Sequence, residues 1–95
     1  MRIISQDGTV DVPYEQVVVQ QYERNIYCHN DKTRMKVATY SSEEKAMLAM
    51  QMLRDTYSYN SQEEVYKDGA FSYSPVFQFL RDEDIEIWYR LQSNH

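Results

Sequence analysis

Residues 38–54 read "ATYSSEEKAMLAMQMLR", and the fold class turns on this stretch because the chain's hydrophobic period changes within it. Upstream, in "RMKVATY" (34–40), Met35, Val37 and Thr39 alternate with Arg34, Lys36 and Ala38, the two-residue period of a strand. Downstream, Ala46, Ala49, Met50, Leu53 and Tyr57 fall at i, i+3, i+4, i+7 and i+11, one stripe at helical period. At the junction Ser41 stands three residues before Glu44. That spacing lets a serine hydroxyl accept the N3 amide while the glutamate reaches back, so the pattern predicts a helix starting at Ser41 and running over about 42–58. Met47, Leu48 and Met52 widen the apolar surface, as adaptable core or as a contact with another subunit.

The residues before this boundary read as strands. "MRIIS" and "TVDVP" flank Gln6-Asp7-Gly8, and Asp-Gly suits a hairpin turn that needs positive φ, so this opening turn is structural. Only Asp11 lies near Asp7, too few oxygens for a metal loop. "VVVQQY" (17–22) is the most strand-like run, and apolar residues on both of its faces suit a central strand covered on two sides. "IYCH" and "RMKVATY" continue an antiparallel meander across the turn at Asn30–Thr33.

Residues after the helix give a weaker pattern. Residues 58–69, "SYNSQEEVYKDG", read as a long polar loop with at most a brief "EVY" strand. "AFSYSPVFQFL" reads as one or two strands interrupted by Pro75, with Phe77 and Phe79 on one face and Gln78 on the other. In "DEDIEIWYRLQ" the alternation of Ile85, Ile87, Tyr89 and Leu91 favours a strand, although the acidic start and Ile85, Trp88 and Tyr89 also fit a helix. The expectation is a single α+β domain over 1–95: an antiparallel sheet of about five to seven strands with one amphipathic helix packed on a face.

Composition narrows the function. At 95 residues the chain supports one core, burying roughly 60–65% of its unfolded surface. Residues 1–40 balance five acids against five bases, whereas 41–95 hold ten acids and five bases, so the whole formal charge of −5 lies in the second part. Such a chain lacks the clustered Lys and Arg that phosphate binding requires, which argues against direct nucleic-acid binding. The one cysteine, Cys28, suits a reducing compartment. There is no signal-peptide pattern and no apolar run of membrane-spanning length, so a cytoplasmic location without membrane contact is expected.

No reactive constellation emerges. Cys28 and His29, the one adjacent thiol–imidazole pair, point to opposite faces of a strand. With one Cys, His29 and His95 there is no zinc spacing, and two glycines cannot write a phosphate-binding loop. No catalytic residue, cofactor or metal is expected. The distinctive features are instead nine tyrosines, with Tyr57, Tyr59, Tyr66 and Tyr73 falling across the helix end and the loop, and an acidic cluster, Asp82, Glu83, Asp84 and Glu86, beside Trp88 and Tyr89. Tyrosine is enriched in interfaces, and acids interleaved with aromatics fit an Arg-rich surface. These ten residues are the candidate contact set for a protein partner, another copy of the chain included.

Three stretches, "MRIISQDGTVDVPYE" (1–15), "ATYSSEEKAMLAMQMLR" (38–54) and "FQF" (77–79), together resemble a group of small uncharacterised proteins of Gram-positive bacteria, their phages and prophages. Leu80 stands where that group has proline. The resemblance implies no activity, substrate or catalytic residue. It implies an accessory protein of a mobile element, working in the host cytoplasm. An inhibitor of host defence, such as an anti-CRISPR protein that blocks a basic nucleic-acid-binding surface, belongs to the same context.

Overall fold

The computed structural model describes residues 1–66 and 76–93, with the backbone alone described for 59–66 and 93. Tyr73 and His95 therefore lie outside the described residues, as do the side chains of Tyr59 and Tyr66. The elements run β1 (Arg2–Ile4), β2 (Asp11–Pro13), a 3-10 turn (Tyr14–Gln16), β3 (Val18–Tyr22), β4 (Asn25–His29), β5 (Arg34–Thr39), α1 (Glu43–Tyr66), β6 (Val76–Gln78) and α2 (Asp82–Ser93). The class is α+β, as the sequence implies. Instead of one antiparallel sheet, however, there are two sheets of three strands each, in the orders β2-β1-β6 and β3-β4-β5. Instead of one helix, there are two.

The opening turn explains why the strands divide. Asp7 Oδ1 accepts hydrogen bonds from the Ser5 hydroxyl (2.7 Å), the Thr9 hydroxyl (2.7 Å) and the Thr9 amide (3.0 Å), and Gly8 takes the positive φ of 78° that the bend needs. These donors hold the Asp7 carboxyl down to about 2. Gln6 is thereby aimed outward at the edge of the other sheet. Its backbone N–H donates to the Val37 carbonyl (2.9 Å), its Oε1 accepts from the Thr39 amide (2.8 Å), and its Nε2 donates to the carbonyls of Thr39 (3.0 Å) and Leu80 (2.9 Å). One residue thus occupies the edge of β5 that a further strand would use, and the meander stops there.

β1 takes its second partner from the far end of the chain. β6 pairs with it in parallel, Arg2 opposite Val76 and Ile4 opposite Gln78, and the Phe79 amide extends the ladder to the Ile4 carbonyl (3.1 Å). Phe77 and Phe79 turn inward as their alternation implies and meet edge to face, with centroids 5.1 Å apart. The core collects Ile3, Ile26, Val37, Leu53, Phe79 and Ile85 with their neighbours into one cluster drawn from both sheets and both helices.

α1 follows its predicted stripe: Ala46, Ala49 and Leu53 are buried and Tyr57 stacks on Tyr14 at 4.6 Å. Two details depart from expectation. The cap is Ser42, whose hydroxyl accepts the Lys45 amide (3.2 Å) and whose carbonyl accepts the Ala46 amide (3.2 Å). Two serines before two glutamates permit two caps, and tertiary contacts to Ser41 choose the later one. The helix also extends to Tyr66 through residues 58–66, read from the sequence as loop, because Gln62, Glu63 and Glu64 are good helix formers.

β3 departs as well. The run read as a central strand is an edge: Val17 and Val19 pack against the core, while Val18 and Tyr22 face solvent. β3 and β4 are joined by the two residues Glu23 and Arg24, and Glu23 takes a φ of 55°, costly for any side chain.

Two stability changes follow. Gln6→Ala removes three hydrogen bonds and orphans the Thr39 amide, which should cost about 2 kcal/mol and lower the urea midpoint with an unchanged slope. Glu23→Gly relieves the strained turn and should raise stability by about 0.5 kcal/mol, read as a higher thermal midpoint.

Candidate protein-interaction surface

The acidic cluster marks the start of α2, not a strand. The amides of Asp84 (3.1 Å) and Ile85 (3.0 Å) donate to the Arg81 carbonyl, and three acids in the first turn face the amide-rich helix terminus. The apparent alternation dissolves at 100° per residue: Ile85 is buried and Tyr89 partly so, whereas Ile87 and Leu91 are exposed. Local β-propensity favoured a strand, and a countercharge from far upstream overrides it.

That countercharge is Lys45. Its side chain, only 11% exposed, reaches from the first turn of α1 to Asp82 Oδ2 (3.4 Å) and into a closer ion pair with Glu86, while Nζ also donates to the Ser41 hydroxyl (2.9 Å). Asp82 Oδ1 in turn accepts the Ser41 amide (2.8 Å), and Arg90 pairs with Glu86 one turn on (2.9 Å). The amide of Ser41, followed by Lys45, holds the Asp82 carboxyl below its ordinary value. Lys45, followed by Arg90, does the same for Glu86, and the Glu86 hydrogen bond raises Lys45. Of the four clustered acids, Asp82 and Glu86 are therefore engaged within the molecule, and Glu83 and Asp84 stay exposed.

The outward side of α2 is different. Ile87 (61% exposed), Trp88 (53%) and Leu91 (53%) share, with Asp84, a sector about 100° wide by helical geometry. Three large apolar side chains exposed together on a twelve-residue helix form a patch, unlike the scattered exposed residues any surface carries. The Met47 side chain of α1 is also exposed, in a groove bordered by Leu48 and Met50 and by Tyr89 and Gln92 of α2.

The sequence-selected residues thus separate. Glu83, Asp84 and Trp88 lie on the exposed part of α2, Tyr89 borders the groove, Asp82 and Glu86 form the ion network, and Tyr57 is drawn into packing with Tyr14. Ile87 and Leu91 were missed, and Met47, read from the sequence as core or as a contact with another subunit, is exposed. Read as a helix, 82–93 places Ile87 and Leu91 beside Trp88, the signal that could have found them.

Reactive groups are placed as follows. Cys28 is fully buried on β4, and burial pushes its thiol up to about 11, while His29 points to the opposite face. Tyr40 is buried with its hydroxyl donating to the Leu80 carbonyl (2.8 Å), and burial raises it strongly. Among the described residues no group of three or more His, Cys, Asp or Glu side chains is gathered to hold an ion, and no helix is long and apolar enough to cross a membrane. Comparison with family models, curated proteins and solved structures finds no match for this chain.

The network sets the pH response. Asp82 and Glu86 titrate lower when folded, so their contribution is present above their unfolded values of 3.8 and 4.5 and is lost as pH falls through the folded ones. Lys45 titrates higher when folded, so its contribution is complete below its unfolded value of 10.5 and is lost as pH rises through the folded one. The melting temperature should therefore be level near neutrality and fall at both extremes. Lys45→Met should make both limbs shallower, with Asp7 sustaining what remains of the acid limb.

Proposed function

We propose that this chain is a non-enzymatic protein-interaction module, an accessory factor of the phage and prophage kind its sequence resembles, acting in a bacterial cytoplasm. The observation carrying the reading is the exposed sector of α2, where Ile87, Trp88 and Leu91 stand together on a helix whose other flank is fixed by Lys45. Those ion pairs anchor the helix before binding, which reduces the ordering that docking requires. Tryptophan is the side chain most enriched at binding hot spots, and the surrounding aliphatics exclude water.

The partner's chemistry follows from what lies beside the patch. Asp84 falls within the sector and Glu83 next to it, both exposed, so an apolar surface rimmed by Lys or Arg is the complement. This charge favours a second reading within the same class. The basic rim belongs to a nucleic-acid-binding surface of a host defence enzyme, and the module occludes it. In that case the working acids are Glu83 and Asp84 rather than the whole cluster, because Asp82 and Glu86 are taken by Lys45.

Affinity capture from a Gram-positive host lysate tests both readings. Wild type should retain a discrete partner, and Trp88→Ala with Leu91→Ser should lose it while far-UV circular dichroism stays native. Retention of the same partner by that variant would remove α2 as the contact. In a phage interference assay, Glu83→Lys with Asp84→Lys should abolish protection if the inhibitory reading holds, and unchanged protection would end it.

A further inference from the structure

β3 is a five-residue strand with a two-sided apolar sequence, yet it stands at the end of its sheet, and among the described residues no strand lies beyond it. The other edges are blunted. Gln6 occupies that of β5, β2 is three residues long with Asp11 at its start and Pro13 at its end, and β6 is also three residues long. β3 has none of these protections, since residues 16–22, "QVVVQQY", contain no charge and no proline. Its outer face also differs from its neighbour's. The Tyr27 ring on β4 is covered by the Arg34 guanidinium at 4.0 Å, whereas Val18 is 56% and Tyr22 60% exposed.

The register of β3 on β4 determines what the free edge offers. Tyr22 pairs with Asn25 across a two-residue turn, and the pair flanking such a turn exchanges both backbone hydrogen bonds. Tyr22, Gln20 and Val18 consequently direct their amides and carbonyls at β4. Val19 and Gln21 direct theirs at the open edge.

We infer that β3 is a self-association edge, pairing antiparallel with β3 of a second copy about a two-fold axis at Gln20 and joining the two β3-β4-β5 sheets into one of six strands. This register matches the strand to itself. Val19 of each copy faces Gln21 of the other as a hydrogen-bonded pair, giving four backbone bonds from groups that otherwise face solvent. On the outer face Val18 of each copy lies opposite Tyr22 of the other, an aliphatic–aromatic cross-strand pair formed twice, with Gln20 opposite Gln20 at the axis. Arg24 falls opposite Gln16 and Glu23 opposite Val17, so no like charges meet. On the core side, Gln21 borders the groove that holds the exposed Met47, extending the apolar surface beside the edge. The central-strand pattern of "VVVQQY" then describes the dimer. This edge shares no residue with the α2 patch, so either surface can fail alone.

Sedimentation velocity on the full chain, up to about 0.5 mM, tests the inference. Wild type should dimerise, and Val18→Lys with Tyr22→Lys, which sets lysine against lysine twice, should weaken the dimer by on the order of tenfold or more. Val18→Lys with Tyr22→Glu sets opposite charges in the same places and should restore it. A monomer at all concentrations, or a dimer indifferent to the lysine pair, overturns the proposal. Crosslinking provides a readout that survives a weak dimer. Non-hydrogen-bonded antiparallel partners have Cα atoms about 4.5 Å apart, within disulfide reach, so Gln20→Cys should oxidise to a reducible dimer. Val18→Cys, well away from its own copy, should not. Crosslinking of both or of neither overturns the register.

Discussion

Gln6 is the constraint on which the arrangement depends. A primary amide is the one side chain that offers an acceptor and a donor in the spacing of a peptide group, so it can answer a strand's N–H and C=O as another strand would. Here it does so for Thr39 while its second N–H reaches Leu80, so the first turn, the last meander strand and the lead-in to α2 meet at one residue. Tyr40 adds its hydroxyl to the same Leu80 carbonyl. The Asp7 turn matters because it presents Gln6 rigidly. Its carboxylate holds Ser5 and Thr9, and Gly8 supplies the bend.

From that joint α2 takes its place. Leu80 is fixed two residues before Asp82, and Asp82 meets Ser41 and Lys45 at the start of α1. The partly buried network stabilises chiefly by avoiding an unpaired ammonium, and its larger effect is geometric: it sets the rotation of α2 about its own axis. Ile85 then points inward, and Ile87, Trp88 and Leu91 point out. A helix of that composition, free to roll, would bury those three side chains against its own core.

Legibility in the sequence follows the range of the interactions. The α1 stripe, the inward Phe77 and Phe79, the structural opening turn and the opposed Cys28 and His29 depend on neighbours within a few residues, and periodicity carries that information. The segment 82–93 fits both periods, and the arbiter is Lys45, 37 residues from Asp82. The parallel pairing of β6 with β1 leaves no local mark, because three-residue strands lack a pattern of their own. The division into two sheets was hidden because nothing in "SQDG" announces that glutamine will act as a strand edge. At the candidate surface, Trp88 and the free acids were visible as composition. Their apolar companions were not, since recognising them requires the helix.

The pairing of β1 with β6 also bears on how the molecule comes into being. Gln6 and Leu80 are 74 positions apart, and the sheet β2-β1-β6 cannot close until the chain beyond β6 has left the ribosome. The meander β3-β4-β5 and the first turns of α1 need only near neighbours and can form during synthesis. The opening hairpin, translated well before β6, must wait with Ile3 uncovered until that strand arrives. In a nascent chain, order of synthesis and order of consolidation are thus opposed for this sheet, since β1 precedes the meander yet becomes native only after it.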